Sequence, residues 1–223
     1  MSRIKQRLAE IGEELGAIDA VLLTHEHIDH TAAVQTLLKT PVFRGHVYVA
    51  SDLLGLVQAG QRSRVFEPGN DFQVGNLRIY ALPVPHDAVA PVAFVLSHGM
   101  SRMAIATDLG RIPDDFGECI TGTDVLFLEA NHDNDMLAAG PYANVLKRRV
   151  ASDLGHLSND QVVEFISEDL HLRTSQLVLC HLSQSSNDPR LVRAMATRAL
   201  RDRGCSARLS IVEYGGASEV FEC

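Results

Sequence analysis

The residues best suited to chemistry are four side chains crowded into one short segment. His25, His27, Asp29 and His30 lie within six positions, directly after an apolar run over residues 17–23. Imidazole nitrogens together with a carboxylate are the donors that zinc and similar divalent ions prefer. A turn at the end of a strand allows such donors to converge on one edge of a sheet. The motif therefore predicts a divalent metal site and metal-assisted chemistry.

The elements that must position this motif are predicted from hydrophobic periodicity and turn signals, and strands and helices interleave along the chain. Helices are predicted over residues 2–15, 31–39, 142–151, 159–169 and 188–202, and from Asp52. The helix from Asp52 is expected to be capped by Ser51 and that over 159–169 by Ser158 or Asn159, while Pro189 and Gly204 mark the ends of that over 188–202. Strands are predicted over residues 17–23, 47–50, 71–74, 77–82, 92–97, 102–106, 125–128, 177–180, 207–213 and 219–222, with hairpin turns around Gly75 and Gly99. Because no repeat or linker divides them, we expect one α+β domain over residues 1–223.

Composition limits the class of protein. The 223 residues are 46% hydrophobic, which is enough for a substantial core, and the formal net charge is −8. That charge argues against non-specific coating of nucleic acid, although clustered basic residues keep a specific nucleic-acid substrate open. No apolar run is long enough for a membrane helix, and the charged N-terminus is not a signal peptide. We therefore expect a cytoplasmic protein without membrane association, whose scattered cysteines are reduced thiols: Cys119, Cys180, Cys205 and Cys223.

The sequence THEHIDH over residues 24–30 resembles the metal motif of the metallo-β-lactamase superfamily. The resemblance implies the fold of that superfamily, an αβ/βα four-layer sandwich with its site where the strands end. It implies that His25 and His27 bind one metal ion, and that Asp29 and His30 bind a second. Later motifs in that superfamily supply a lone histidine, a bridging aspartate and a final histidine.

The rest of this chain has residues of the implied types in the implied order. His86 follows one predicted strand, Asp108 follows another, and His181 ends a third. The resemblance thus assigns His86 and His181 as further metal ligands and Asp108 as the carboxylate that bridges the two ions. Zinc suits this donor set best, and manganese and iron are alternatives.

Two further segments, EANHD at residues 129–133 and GHLSN at residues 155–159, resemble the YycJ/WalJ group of the same superfamily. HDA at residues 86–88 and HLSQSSND at residues 181–188 do so too. The group belongs to the nuclease-related branch and implies 5′-to-3′ exonuclease action, with DNA favoured over RNA. The usual pattern starts with a glycine- and serine-rich strand pair that has no counterpart here. We therefore expect one sheet to be short, with an exposed edge.

In the implied mechanism, two metal ions lower the pKa of a shared water, and the resulting hydroxide attacks phosphorus. Asp29 and Asp108 join the catalytic set as the carboxylates that hold the metal ions. His156 is the candidate general acid or phosphate contact, and Glu129 is expected to orient it. Consecutive basic residues of a predicted helix are expected to bind substrate phosphates: Lys147, Arg148 and Arg149.

Two alternatives remain open. The first is a hydrolase of a small ester, thioester or lactam on the same fold, since fold does not choose substrate. Against it, the glyoxalase and lactonase branches place the third histidine in a TPGHT-like turn, where this chain has VPHDA at residues 84–88. The second alternative is a non-catalytic, metal-binding member of the superfamily. The sequence does not predict an oligomeric state.

Overall fold

The computed structural model describes residues 1–57 and 60–221. These residues form two compact units. Within the described ranges, unit 1 comprises Met1–Pro83 and Ala88–Val92, and unit 2 comprises Val84–Asp87 and the chain from Ala93 onward. The single domain expected over the whole chain therefore stays a prediction.

The helices and strands of unit 1 are α1 (Ser2–Glu10), β1 (Ala20–Leu22), α2 (Ile28–Thr31), α3 (Val34–Leu38), β2 (His46–Ala50), β3 (Ser63–Phe66), β4 (Asp71–Val74) and β5 (Leu77–Pro83). The first three strands form a parallel sheet in the order β1-β2-β3. The last two strands form the predicted antiparallel hairpin. Stacked aromatic rings connect sheet and hairpin, because Phe72 of β4 packs on Tyr48 of β2 and on Phe66 of β3.

The first helix is shorter than its periodicity predicts. We expected a helix over residues 2–15, but α1 ends at Glu10. Leu15 instead belongs to a one-turn 3₁₀ helix and is buried against Leu37 and Phe43, with Leu8 of α1 packed beside them. None of the residues of α1 is buried, so extending this helix would gain little packing free energy. Burial of Leu15 in the cluster stabilises the chain more than further helical turns would.

The segment after β2 also departs from expectation. The helix predicted from Asp52 is only a 3₁₀ turn, Ser51–Leu53. The expected capping hydroxyl of Ser51 donates to the Glu67 carboxylate at 2.7 Å, so it does not cap a helix. β3 was not predicted, and the helix predicted over 31–39 is divided between α2 and α3.

The helices and strands of unit 2 are β6 (Val92–His98), β7 (Ser101–Ala106), α4 (Phe116–Cys119), β8 (Val125–Glu129), α5 (Asn134–Ala139), α6 (Asn144–Val150), α7 (Asn159–Glu168), β9 (Gln176–Cys180), α8 (Pro189–Arg203) and β10 (Arg208–Ile211). The strands are hydrogen-bonded in the order β10-β9-β8-β7-β6. β7, β8, β9 and β10 are mutually parallel, and β6 runs antiparallel to β7. Three of the parallel strands therefore end at the same edge, where their next residues can meet.

Local signals set the ends of the two longest helices of unit 2. Ser158 and Gln161 form a capping box at the start of α7, because each side chain bonds the other residue's backbone. Asp188 caps α8, Pro189 occupies its first turn, and Gly204 ends it with a left-handed φ of 71°. Ser158, Pro189 and Gly204 confirm the predicted helix ends, whereas the cap at Asp188 was not predicted. α4 and α5 were not predicted, and the closing strand predicted over 219–222 is absent over 219–221, with Glu222 outside the described residues.

Three of the four cysteines lie in the described part of the chain, and all three are free thiols: Cys119, Cys180 and Cys205. Cys223 lies outside the described residues. Within residues 1–57 and 60–221, no helix combines the length and the apolar character needed to cross a bilayer.

Candidate metal centre

In unit 1, the histidine motif occupies the turn between β1 and α2. The ring of His25 is almost fully buried, and its centroid lies 4.6 Å from that of His27 and 4.1 Å from that of His30. The hydroxyl of Thr24 lies 3.0 Å from Nδ1 of His25 and 3.2 Å from Nδ1 of His30. A contact at Nδ1 leaves Nε2 of each ring as the nitrogen available to a metal ion. Asp29 is 70% exposed, with a carboxylate oxygen 3.8 Å from Nε2 of His30.

In unit 2, polar residues lie at the ends of three neighbouring parallel strands. Asp108 follows β7, Glu129 ends β8 and His181 follows β9. Asp108 and His181 are the described non-glycine residues with a left-handed backbone, at φ of 61° and 57°. Such conformations cost on the order of 1–3 kcal/mol and persist where the surrounding structure imposes them, often at functional sites.

Glu129 is the centre of this group, because its carboxylate is shared by two imidazoles. Its Oε1 accepts hydrogen bonds from Nδ1 of His156 at 2.8 Å and from Nδ1 of His181 at 2.6 Å. Its Oε2 accepts from the backbone N–H of Leu109 at 3.0 Å. Both rings are therefore fixed with Nδ1 as donor and Nε2 as the nitrogen available for a metal or a proton.

The electrostatics of the shared carboxylate follow from these bonds. Burial by itself would raise the pKa of Glu129, but hydrogen bonds from His156 and His181 lower it to about 2. Burial alone would lower the pKa of His156, yet its bond to Glu129 raises that pKa above the usual range. The site thus holds a permanent carboxylate that favours a protonated ring at His156.

The donors of this group are close enough to share an ion. One ligand atom from each of Asp108, Glu129, His156 and His181 lies within 4.8 Å of the others. Nε2 of His181 is 3.5 Å from Oδ1 of Asp108, and Nδ1 of His156 is 3.9 Å from the same oxygen. A mixed imidazole and carboxylate set of this size fits a divalent cation such as zinc.

His86 lies in the same unit, beside this group. Its ring centroid is 5.2 Å from that of His156, and its Nδ1 donates to the carbonyl oxygen of Gly155 at 2.9 Å. Burial lowers the pKa of His86, which favours the neutral ring that a metal ligand requires. Within unit 2 the structure therefore brings together His86, Asp108 and His181 of the predicted ligands, and within unit 1 it brings together His25, His27, Asp29 and His30.

Three asparagines, none of them predicted as a site residue, form hydrogen bonds around the ends of β8 and β9. Nδ2 of Asn131 donates to the carbonyl oxygen of His181 at 3.0 Å, which helps to hold its left-handed backbone. Asn159 and Asn187 exchange side-chain hydrogen bonds of 2.9 and 3.0 Å, and Asn187 also donates to the carbonyl oxygen of Ala130. Their positions inside the EANHD, GHLSN and HLSQSSND segments were the available signal.

The three basic residues of α6 differ in their partners. Lys147 donates to the carbonyl oxygen of Ala138 at 2.6 Å. Arg149 forms an ion pair with the carboxylate of Asp87. Within the described ranges, Arg148 is the member of the trio without a hydrogen bond or an ion pair, and it is exposed. The expected phosphate role therefore suits Arg148 better than its neighbours.

Comparison with known proteins shows three kinds of likeness. The family described as Beta-lactamase superfamily domain matches residues 1–182. Exodeoxyribonuclease WalJ of Streptococcus pneumoniae serotype 2 is 35% identical over 194 residues, which cover 83% of this chain and 71% of the relative. Exodeoxyribonuclease YycJ of Bacillus anthracis is 28% identical over 192 residues, 84% of this chain and 72% of that protein. The metallo-β-lactamase fold protein YhfI of Bacillus subtilis superposes with a TM-score of 0.69 at 18% identity, over 91% of this chain and 78% of YhfI, which confirms the predicted fold class.

Proposed function

The chain belongs to the beta-lactamase superfamily and is a metal-dependent hydrolase, and from this premise we propose that it is an exodeoxyribonuclease acting in the 5′-to-3′ direction. The observation that carries the proposal is the buried Glu129 carboxylate, which holds His156 and His181 beside Asp108. Such a set can supply both metal ligands and a proton donor, and metal-assisted phosphodiester hydrolysis uses both. The relatives that share most of this chain's length are named for cleavage of DNA.

We propose that two divalent ions, preferably zinc, are held by seven residues. The support is the donor chemistry of the two groups, since each presents imidazole nitrogens with a carboxylate. When bound, the ions lower the pKa of a water molecule and neutralise charge on the phosphate oxygens. The proposed ligands are His25, His27, Asp29 and His30 from unit 1 and His86, Asp108 and His181 from unit 2.

His156 is the proposed general acid. Its Nδ1–H is held by Glu129, and this bond raises the pKa of His156, which favours a proton on Nε2. That proton can pass to the oxygen leaving the phosphorus, while Glu129 stabilises the imidazolium before transfer. Asp108 contributes a fixed carboxylate on the same edge.

We expect His156→Ala to lower kcat by about 10² to 10⁴-fold, the usual contribution of a general acid. Metal content, measured by inductively coupled plasma mass spectrometry, should stay at the wild-type value. A variant that loses one ion per chain would instead identify His156 as a ligand, which the donor distances also permit.

Arg148 is the proposed phosphate contact on α6. Arg148→Ala should raise KM for DNA with little change in kcat, and it should reduce the slope of log affinity against log salt by about one unit. The matched control is Arg198→Ala, since Arg198 is 79% exposed on α8 and pairs with Asp202. Equal salt slopes for the Arg148 variant and the wild type would contradict the assignment.

The direct test of the function uses end-labelled substrates. Single- and double-stranded DNA and RNA, labelled at either end, are incubated with the purified chain, and metal is measured on the same preparation. We expect mononucleotides released progressively from the 5′ end of DNA. Hydrolysis of nitrocefin or lactoylglutathione, with every nucleic acid left intact, would support the small-molecule alternative and exclude the nuclease.

A further inference from the structure

The loop that carries His86, residues 84–87, is held against its neighbours by two backbone hydrogen bonds and one from the His86 ring. It lies between the segment after β7 and the loop that follows α6. Three hydrogen bonds hold it: Gly110 N–H to the oxygen of Pro85 at 2.8 Å, Asp87 N–H to the oxygen of Leu154 at 3.0 Å, and Nδ1 of His86 to the oxygen of Gly155 at 2.9 Å. The backbone of this loop is thus anchored, and the side chain of Asp87 is left to interact locally.

The Asp87 carboxylate connects two groups. One oxygen, Oδ1, lies 3.4 Å from Nε2 of His86, the ring nitrogen that the bond to Gly155 makes available for a metal. The other oxygen, Oδ2, accepts from Nε of Arg149. The Asp87 side chain is 28% exposed and that of Arg149 is 55% exposed, so the pair lies at the rim of the site.

Close backbone packing sets the position of Arg149. A Cβ atom at Gly155 would lie 2.2 Å from the carbonyl oxygens of both Arg149 and Val150, so this approach requires glycine. His156 N–H also donates to the oxygen of Val150 at 2.9 Å. The end of α6 is therefore fastened to the loop that bonds His86, and Arg149 is held at a set distance from Asp87.

We propose that Arg149 and Asp87 are a positioning pair that fixes a carboxylate oxygen beside Nε2 of His86 for metal binding. Arg149 holds one oxygen of Asp87, which keeps the other beside the ligand nitrogen, where its negative charge attracts a cation. The inference rests on the proposed ligand role of His86. It assigns Arg149 to metal affinity, whereas the basic run on α6 had suggested contact with substrate phosphate.

Loss of the Asp87–Arg149 pair should affect protein stability and metal affinity to different extents. A partly exposed ion pair contributes little to folding, so its loss should leave the chain folded. Partners that orient a metal-binding histidine usually change metal affinity or activity by about 10 to 100-fold. Metal affinity, and not stability, is therefore the quantity that should change.

The experiment titrates zinc into the full chain, stripped of metal, against a chromophoric chelator. Arg149→Met, which keeps the aliphatic stem, and Asp87→Asn should each weaken zinc binding about 10-fold. Arg149→Lys should retain part of the wild-type affinity because it keeps the charge. Excess zinc should restore DNA hydrolysis by the variants, with KM and its salt dependence at wild-type values. Arg198→Ala is the matched control and should match the wild type throughout.

Wild-type zinc affinity in both Arg149→Met and Asp87→Asn would overturn the proposal. A raised KM with a flatter salt dependence in Arg149→Met would return Arg149 to phosphate binding. Circular dichroism and thermal unfolding check that each variant is folded. If Arg149→Met does not fold, the zinc affinity of Asp87→Asn alone tests the proposal. Because the zinc titration requires no substrate, it still decides this proposal if the wild type fails to degrade DNA, which would count only against the proposed function.

Discussion

Replacing Glu129 with alanine is expected to lower kcat/KM by about 10³-fold or more, because one carboxylate orients two imidazoles at once. Without it, Nδ1 of His156 and Nδ1 of His181 both lose their acceptor, and each ring can change tautomer or rotate. The pKa of His156 should then fall, since the raising contribution of Glu129 disappears while burial continues to lower it. The measurements are kcat/KM on end-labelled DNA at saturating zinc and zinc affinity by competition.

Glu129→Gln separates charge from shape at this position. Glutamine fills the same volume, but only its carbonyl oxygen accepts, so its NH₂ group must face either the two imidazole N–H groups or the backbone N–H of Leu109. We therefore expect this variant to be nearly as impaired as Glu129→Ala. Thermal unfolding of the metal-free variants controls for a general loss of structure, because a buried group left without its partner costs about 1–3 kcal/mol. A glutamine variant within about threefold of wild-type activity would contradict the orienting role, since loss of outer-shell partners usually costs at least 10-fold.

The second large effect is expected at Asp108. Asp108→Ala should remove at least one of the two proposed ions from each chain and lower kcat/KM by about 10³-fold, since an ion that activates water would be lost. Metal content is measured by mass spectrometry after dialysis against trace zinc. Unchanged stoichiometry would exclude the proposed bridging role.

Asp108→Asn and Asp108→Gly sharpen this test, because the backbone of Asp108 is left-handed with φ of 61°. Asparagine tolerates that conformation and keeps the shape of the side chain, so it isolates the loss of charge. Glycine relieves the conformational cost, and we expect the metal-free Gly variant to unfold at a higher temperature than the Ala variant. Both variants should bind metal weakly. Higher stability combined with lower metal affinity would show that the strain at Asp108 serves the site.

Much of the fold could be predicted because its signals are local. The hairpins around Gly75 and Gly99, the cap at Ser158 and the ends of α8 were all expected, since each depends on residues a few positions apart. The predictions fail where contacts between residues far apart in the sequence determine the local structure. Leu15 leaves the predicted helix to pack on Leu37 and Phe43, and no local pattern shows that competition.

The candidate site likewise has residues that local sequence predicts and contacts that only the tertiary structure reveals. Sequence by itself determined the cluster from His25 to His30, because donors within six positions must lie close together whatever the fold. It also placed Asp108 and His181 at strand ends. It also predicted the contact of Glu129 with His156. Only the tertiary structure decided that Glu129 binds His181 as well, and that Arg149 pairs with Asp87. Those two pairs are 52 and 62 positions apart, and they meet because parallel strands end at one edge and Gly155 lets α6 approach the loop of His86.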